Sequence, residues 1–163
     1  IELEQSQWSK SLAHADQALA LDPNDMHSLR SRYEALTELG DKVGADAALT
    51  TLATMDRTPE VAKLLYNVGA QAGNAKEVDV ARARFNEALA IDPNLHQAHS
   101  ALAELAIKEK KYPEAVAELD KAIAVAPRNF KAYERKIEVL KVMGDKAGAE
   151  AAEKALTALK AGG

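Results

Sequence analysis

Two histidines three residues apart, His96 and His99, are the strongest candidates for chemistry in this 163-residue chain. That spacing brings both imidazoles to one face of a helix, an arrangement a divalent metal could use. A metal site needs further ligands, and His99 falls in an apolar row, so packing or surface roles account for the pair better. Glu114, Glu118 and Asp120 offer clustered carboxylates, but lysines share their stretch, which points to a solvated helix face. The run Lys108-Glu109-Lys110-Lys111 is interrupted by its own glutamate and followed by Pro113, and it reads as a turn between helices. With no cysteine in the chain, thiol nucleophiles, disulfides and cysteine metal sites are excluded. A Gly-rich phosphate loop, a Gly-x-Ser-x-Gly elbow and a His-Glu-x-x-His helix are all missing from the sequence. No catalytic residue, cofactor or metal is therefore expected, and the chain reads as a non-enzyme.

Composition narrows the class. Apolar residues make up 47% of the chain and charged residues 28%, enough hydrophobicity for a packed core. No apolar run approaches the roughly 20 residues that a membrane-spanning helix needs, so no membrane insertion is expected. The net charge of -4 is spread over interleaved acids and bases, leaving no basic field to collect nucleic acid. Localisation stays open, because a cysteine-free chain suits either redox compartment. The chain opens at Ile1 without Met or a signal-like segment, and is expected to be cut from a longer protein.

The elements that would position any site come from internal repetition. Ala18-Leu19-Ala20-Leu21-Asp22-Pro23-Asn24 matches Ala88-Leu89-Ala90-Ile91-Asp92-Pro93-Asn94, and Pro127 follows Pro93 by 34 residues. Gly40-Asp41-Lys42-Val43-Gly44-Ala45 recurs as Gly144-Asp145-Lys146-Ala147-Gly148-Ala149. Within a period, Leu65, Val68, Gly69 and Ala72, then Ala81, Phe85, Ala88 and Ile91, follow helical spacing, so each unit holds two helices. Asp-Pro-Asn separates successive pairs, with proline ending one helix and asparagine suited to capping the next. Gly40, Gly73-Asn74 and Gly144 are expected to supply the turns inside hairpins, and Lys110 to Pro113 to do so without glycine.

These residues resemble the tetratricopeptide repeat family. Leu65, Val68, Gly69, Ala72, Ala81, Phe85, Ala88 and Pro93 fall at its eight favoured places, as do His99, Leu102, Ala103, Ala106, Ala115, Leu119, Ala122 and Pro127 in the next unit. The resemblance implies an all-α fold, a right-handed superhelical solenoid of antiparallel helical hairpins. It divides one domain, 1–163, into a partial repeat over 1–25 and full repeats over 26–61, 62–95, 96–129 and 130–163. Ile1 to Gln5 would be the remnant of one helix and Gln7 to Leu21 the next, with Trp8 filling a hairpin junction. Tyr33 and Leu52, and Ile137 and Leu156, replace small residues of the pattern. Wider helix separation is expected there, with a joint between the second and third units.

The resemblance also implies a groove lined by the first helix of each pair. Transferred by position, its residues are His27, Arg30 and Glu34, then Lys63, Tyr66, Asn67 and Ala70, then Gln97, Ser100 and Glu104, then Lys131, Glu134 and Glu138. One row, His27, Lys63, Gln97 and Lys131, is largely cationic, and another, Glu34, Ala70, Glu104 and Glu138, largely acidic. A peptide of mixed charge with one apolar anchor near Tyr66 is the expected ligand. Some family members grip a terminal carboxylate with Lys, Asn and Arg side chains. Here Lys131, Arg135 and Asn67 match that set but Ala101, Tyr66 and Ala70 do not, so no such tail specificity is expected. The implied function is a protein-interaction scaffold binding a protein or peptide partner. A regulatory segment of a larger enzyme, and a repeat that self-assembles through its exposed ends into a homo-oligomer, are the alternatives.

Overall fold

The computed structural model describes residues 2–162; Ile1 and Gly163, the outer limits of the expected array, lie outside the described residues. Among the described residues the chain forms nine α-helices and no strand. These are α1 (Glu2–Leu21), α2 (Met26–Glu38), α3 (Lys42–Met55), α4 (Pro59–Asn74), α5 (Val78–Ile91), α6 (His96–Lys108), α7 (Tyr112–Val125), α8 (Phe130–Met143) and α9 (Lys146–Ala161). The chain divides into two compact units, Ile1–Val61 and Ala62–Gly163.

In the first unit α2 packs against both α1 and α3. The break expected near Ser6 is absent, and α1 is one continuous helix. No glycine or proline interrupts Glu2 to Leu21, and the Ser9 hydroxyl donates back to the Gln5 carbonyl at 2.8 Å, a bond that stays within the helix. Trp8 is half-buried along it. Asp25, not Asn24, caps α2: its carboxylate accepts from the Ser28 amide at 3.1 Å and from the Ser28 hydroxyl. Those bonds hold the Asp25 carboxyl below its ordinary range. Asn24 instead donates its amide to Asp22 at 3.0 Å, a local turn that uses the asparagine backbone and leaves its side chain out. Gly40, at φ 77°, ends α2 in the left-handed conformation, and Asp41 caps α3 through the Gly44 amide. Tyr33 and Leu12 pack on Leu36, Ala45 and Ala48, while Leu49 and Leu52 are fully buried.

In the second unit α6 packs on α5 and α7, and α8 on α7 and α9. The helix that leads into it, α4, begins at Pro59, ahead of the repeat start expected at 62; a proline in the first turn sacrifices no helical hydrogen bond. Gly69 lets α5 approach closely, since a β-carbon there would stand 2.7 Å from Cε1 of Phe85. One core joins Ala103, Ala106, Ala115, Leu119, Ala122, Ala132 and Val139. Another joins Ile137, Leu140, Ala149, Ala152 and Leu156, with Val116, Phe130 and Tyr133 against it. Ile137 and Leu156 are thus core residues that occupy positions where the pattern prefers small ones.

Two hairpin turns depart from glycine chemistry. Gly73 and Asn74 lie inside α4, and the left-handed residue after it is Lys76, at φ 66°. After α6 the same conformation falls to Lys110, at φ 61°. Each closes its helix by donating an amide to a carbonyl three residues back, Lys76 to Gly73 and Lys110 to Ile107.

Candidate functional site

A cleft of about 400 Å³ opens in the second unit. Tyr66 and Ala70 of α4, Gln97, Ser100 and Glu104 of α6, and Lys131 of α8 line it, so six of the expected groove residues share one wall. They come together because α4, α6 and α8 are the first helices of successive pairs, each displaying the same face. Leu105 and Leu119 form part of the floor with the edge of Phe85, whose ring lies 5.7 Å from that of Tyr66. Gly73, Asn74, Lys108, His96, Asn129 and Arg135 complete the lining. His96 and Asn129 do not belong to the expected rows; they sit at or just before helix starts, where row counting assigns no groove position.

Arg135 reorganises the electrostatics of this wall. Its guanidinium forks onto Glu104, Nε to Oε1 at 2.7 Å and Nη2 to Oε2 at 2.8 Å, and Nη1 reaches Glu138 at 2.6 Å. Glu104 first and Glu138 second stabilise the charged guanidinium and push its pKa upward. The expected acidic row is therefore half neutralised at its α6 and α8 members, which sequence position could not show because Arg135 lies on a different helix from Glu104. Among the described residues neither Lys108 nor Lys131 makes an ion pair. Two cations of the lining, Lys108 and Lys131, are then left without a carboxylate partner, while Arg135 is engaged by Glu104 and Glu138.

The remaining candidates stand elsewhere. Lys63 and Asn67 are exposed on α4 outside the cleft lining, and Glu134 pairs with Lys160 at 3.0 Å. His27, Arg30 and Glu34 belong to the first unit, where His27 and Glu34 are exposed and Arg30 reaches Asp56 at 3.4 Å.

The histidine pair has a structural use. His99 is buried, with Nδ1 2.7 Å from Glu118 Oε2 and Nε2 3.2 Å from the Pro93 carbonyl oxygen, so both ring nitrogens are committed. His96 Nδ1 lies 3.4 Å from the Asn129 amide. Among the described residues no group of three or more His, Cys, Asp or Glu side chains is placed to hold a metal. Glu118 departs from the solvated face expected of it: its side chain is only 14% exposed and lies against His99 of α6. Burial pushes its carboxyl up, but hydrogen bonds from Lys121 and His99 outweigh that and leave it below its ordinary value. Glu114 and Asp120 do sit at the surface, paired with Arg82 at 3.0 Å and Lys136 at 2.6 Å. Glu109, within the Lys-rich turn, is held below its ordinary range by Lys111 and Arg82. Each of these groups is satisfied by a structural partner, and none converges with the others on a reaction centre. No described helix is long and apolar enough to cross a membrane.

Comparison with known proteins gives the arrangement its context. Residues 74–137 match the tetratricopeptide repeat family, which is generally a non-catalytic interaction module. No curated protein matches the sequence. Among solved structures, the crystal structure of MamA is similar over 98% of this chain and 92% of its own, at 17% identity and a TM-score of 0.64. PilF of Pseudomonas aeruginosa is similar over 95% of this chain and 70% of its own, at 16% identity and a TM-score of 0.58. The Arabidopsis OM64 TPR domain covers 61% of this chain and 83% of its own, at 19% identity and a TM-score of 0.55. At such identities the likeness establishes a shared fold.

Proposed function

Because residues 74–137 carry the tetratricopeptide repeat signature within a chain of that helical-repeat fold, we propose that the protein is a non-catalytic scaffold that holds a segment of another polypeptide in the cleft of its second unit. The observation that carries this reading is the cleft itself. It is open, floored by Leu105, Leu119 and Phe85, and walled by Tyr66, Ala70 and polar side chains from α4, α6 and α8. Its volume of about 400 Å³ accommodates a few side chains of a bound segment. An apolar floor supplies burial energy and scattered polar groups supply register, the combination that peptide grooves use. The absence of a convergent set of titratable groups among the described residues supports a binding role over a catalytic one. Peptides selected against the immobilised chain from a random display library, then titrated against wild type and Ser100→Trp, test the reading. A bulky indole in the α6 wall should weaken the selected peptides more than tenfold while the helical circular dichroism spectrum is retained. Undiminished binding to a folded variant would place the ligand elsewhere.

Self-association through the chain ends is the second reading, favoured by Leu3, which is 75% exposed on α1. Light scattering that depends on protein concentration and disappears in Leu3→Lys would support it.

A further inference from the structure

Resting on the reading of the cleft as a peptide site, we propose that its occupant is an internal segment carrying two carboxylates about six residues apart, with an apolar residue between them. The protein as a whole is acidic, at -4, yet this wall is cationic. The Arg135 fork engages Glu104, and its third nitrogen holds Glu138, so one guanidinium offsets one of two carboxylates in the middle of the wall and the uncompensated cations stand at its ends. Lys108 and Lys131 remain without ion pairs among the described residues; Lys108 is the last residue of α6 and Lys131 lies in the first turn of α8.

The repeat register gives that placement. Lys131 of α8 is the repeat counterpart of Gln97 near the start of α6, and Lys108 at the end of α6 is the counterpart of Asn74 at the end of α4. Each end therefore carries an ammonium with a side-chain amide at the matching position one first helix over, so a charge and a neutral donor line the same end. Along α6 the run from Gln97 to Lys108 rises about 16 Å at 1.5 Å per residue. Lys131 stands one first helix over, about 10 Å to the side, so the diagonal between the two lysines is about 19 Å, which an extended chain crossing the wall covers in about six residues at roughly 3.3 Å each. Between the two ends lie the Tyr66 ring, Ala70 and Ala101, which favour an apolar side chain. A cationic peptide would meet unpaired lysines at both ends and be disfavoured.

The test uses fluorescein-labelled, C-terminally amidated peptides with two glutamates at this spacing and a leucine between them, compared with a version in which both are glutamine. Anisotropy titrations run against wild type, Lys108→Gln, Lys131→Gln and the double variant. Exposed ion pairs of this kind are each expected to contribute about threefold to fivefold in affinity, so the glutamate peptide should bind wild type about tenfold tighter than the glutamine peptide. Each single variant should remove part of that preference and the double variant all of it. Higher ionic strength should erode it as well. Equal affinity for the two peptides in wild type would overturn the carboxylate assignment while leaving a peptide site intact. Binding that requires a free peptide C-terminus would overturn the internal segment in favour of a terminal carboxylate. If neither peptide binds and display selection also yields nothing sensitive to Ser100→Trp, the underlying peptide site falls together with the proposal.

Discussion

Gly69 and Gly73 occupy successive turns of α4, and the same substitution should act on them with opposite sign. Replacing glycine by alanine inside a helix gains about 1 kcal/mol from backbone propensity. At Gly73 the added methyl would stand 3.7 Å from Ala81 Cβ, an ordinary contact, so Gly73→Ala should stabilise by about that 1 kcal/mol. At Gly69 the methyl would lie 2.7 and 2.8 Å from two carbons of Phe85 and 3.2 Å from the Ala81 carbonyl oxygen. Phe85 is 3% exposed and set against the Tyr66 ring, and the Ala81 carbonyl belongs to the backbone, so neither neighbour gives way freely. Overpacking of this kind costs about 1–3 kcal/mol, which cancels or exceeds the propensity gain. The two variants should therefore differ by about 1–3 kcal/mol, Gly69→Ala being the less stable. In thermal unfolding followed at 222 nm that corresponds to about 2–4 °C for each kcal/mol. Repeat arrays can unfold in stages, so amide hydrogen exchange in α4 and α5 would localise the change. Adding Phe85→Leu to Gly69→Ala should narrow the gap to Gly73→Ala. Equal stability of the two alanine variants, or a more stable Gly69→Ala, would refute the close approach of α4 and α5.

The left-handed lysines give a second expectation: Lys76→Gly and Lys110→Gly should each stabilise by up to about 1 kcal/mol in denaturant melts, since a side chain in that conformation costs more than glycine's extra freedom. Truncating fully buried Leu119 to alanine should cost about 2–5 kcal/mol, read as a lower urea midpoint at unchanged slope. Glu118 predicts a pH dependence. Its folded carboxyl titrates below the ordinary 4.5, so its contribution is complete above that pH and is lost progressively as pH falls beneath it. Urea melts of Glu118→Gln should then show a shallower loss of stability over that acidic range than wild type does.

The helical pairs were readable because their signals are local. Gly40 and Gly144 mark helix ends by residue type, and the apolar spacing of Leu65 to Ala72 is visible within one turn and its neighbour. The turn after α4 was misread for the same reason: Gly73-Asn74 looks like a terminator, whereas the hydrogen bonds continue through it and the reversal falls on Lys76. The Glu77 amide closes the helix end onto the Ala72 carbonyl at 2.9 Å, a closure that sets the intervening Lys76 in the left-handed region. Glu118 was misread because what buries it, His99, is contributed by another helix 19 residues away in sequence. The Arg135 fork onto Glu104 spans 31 residues, and its effect on the charge of the wall appears only when α6 and α8 are set side by side. Row positions alone could place Tyr66, Ser100 and Lys131 on one face. They could not show which charges had already found partners.

The central claim is that a polypeptide segment lies across α4, α6 and α8 of the second unit. Amide and side-chain chemical shifts of the labelled protein, followed while a display-selected peptide is titrated in, test it most directly. The largest changes should fall at Tyr66, Ala70, Ser100 and Lys131. Changes concentrated on α9 or on the exposed face of α7, with those four residues still, would contradict it.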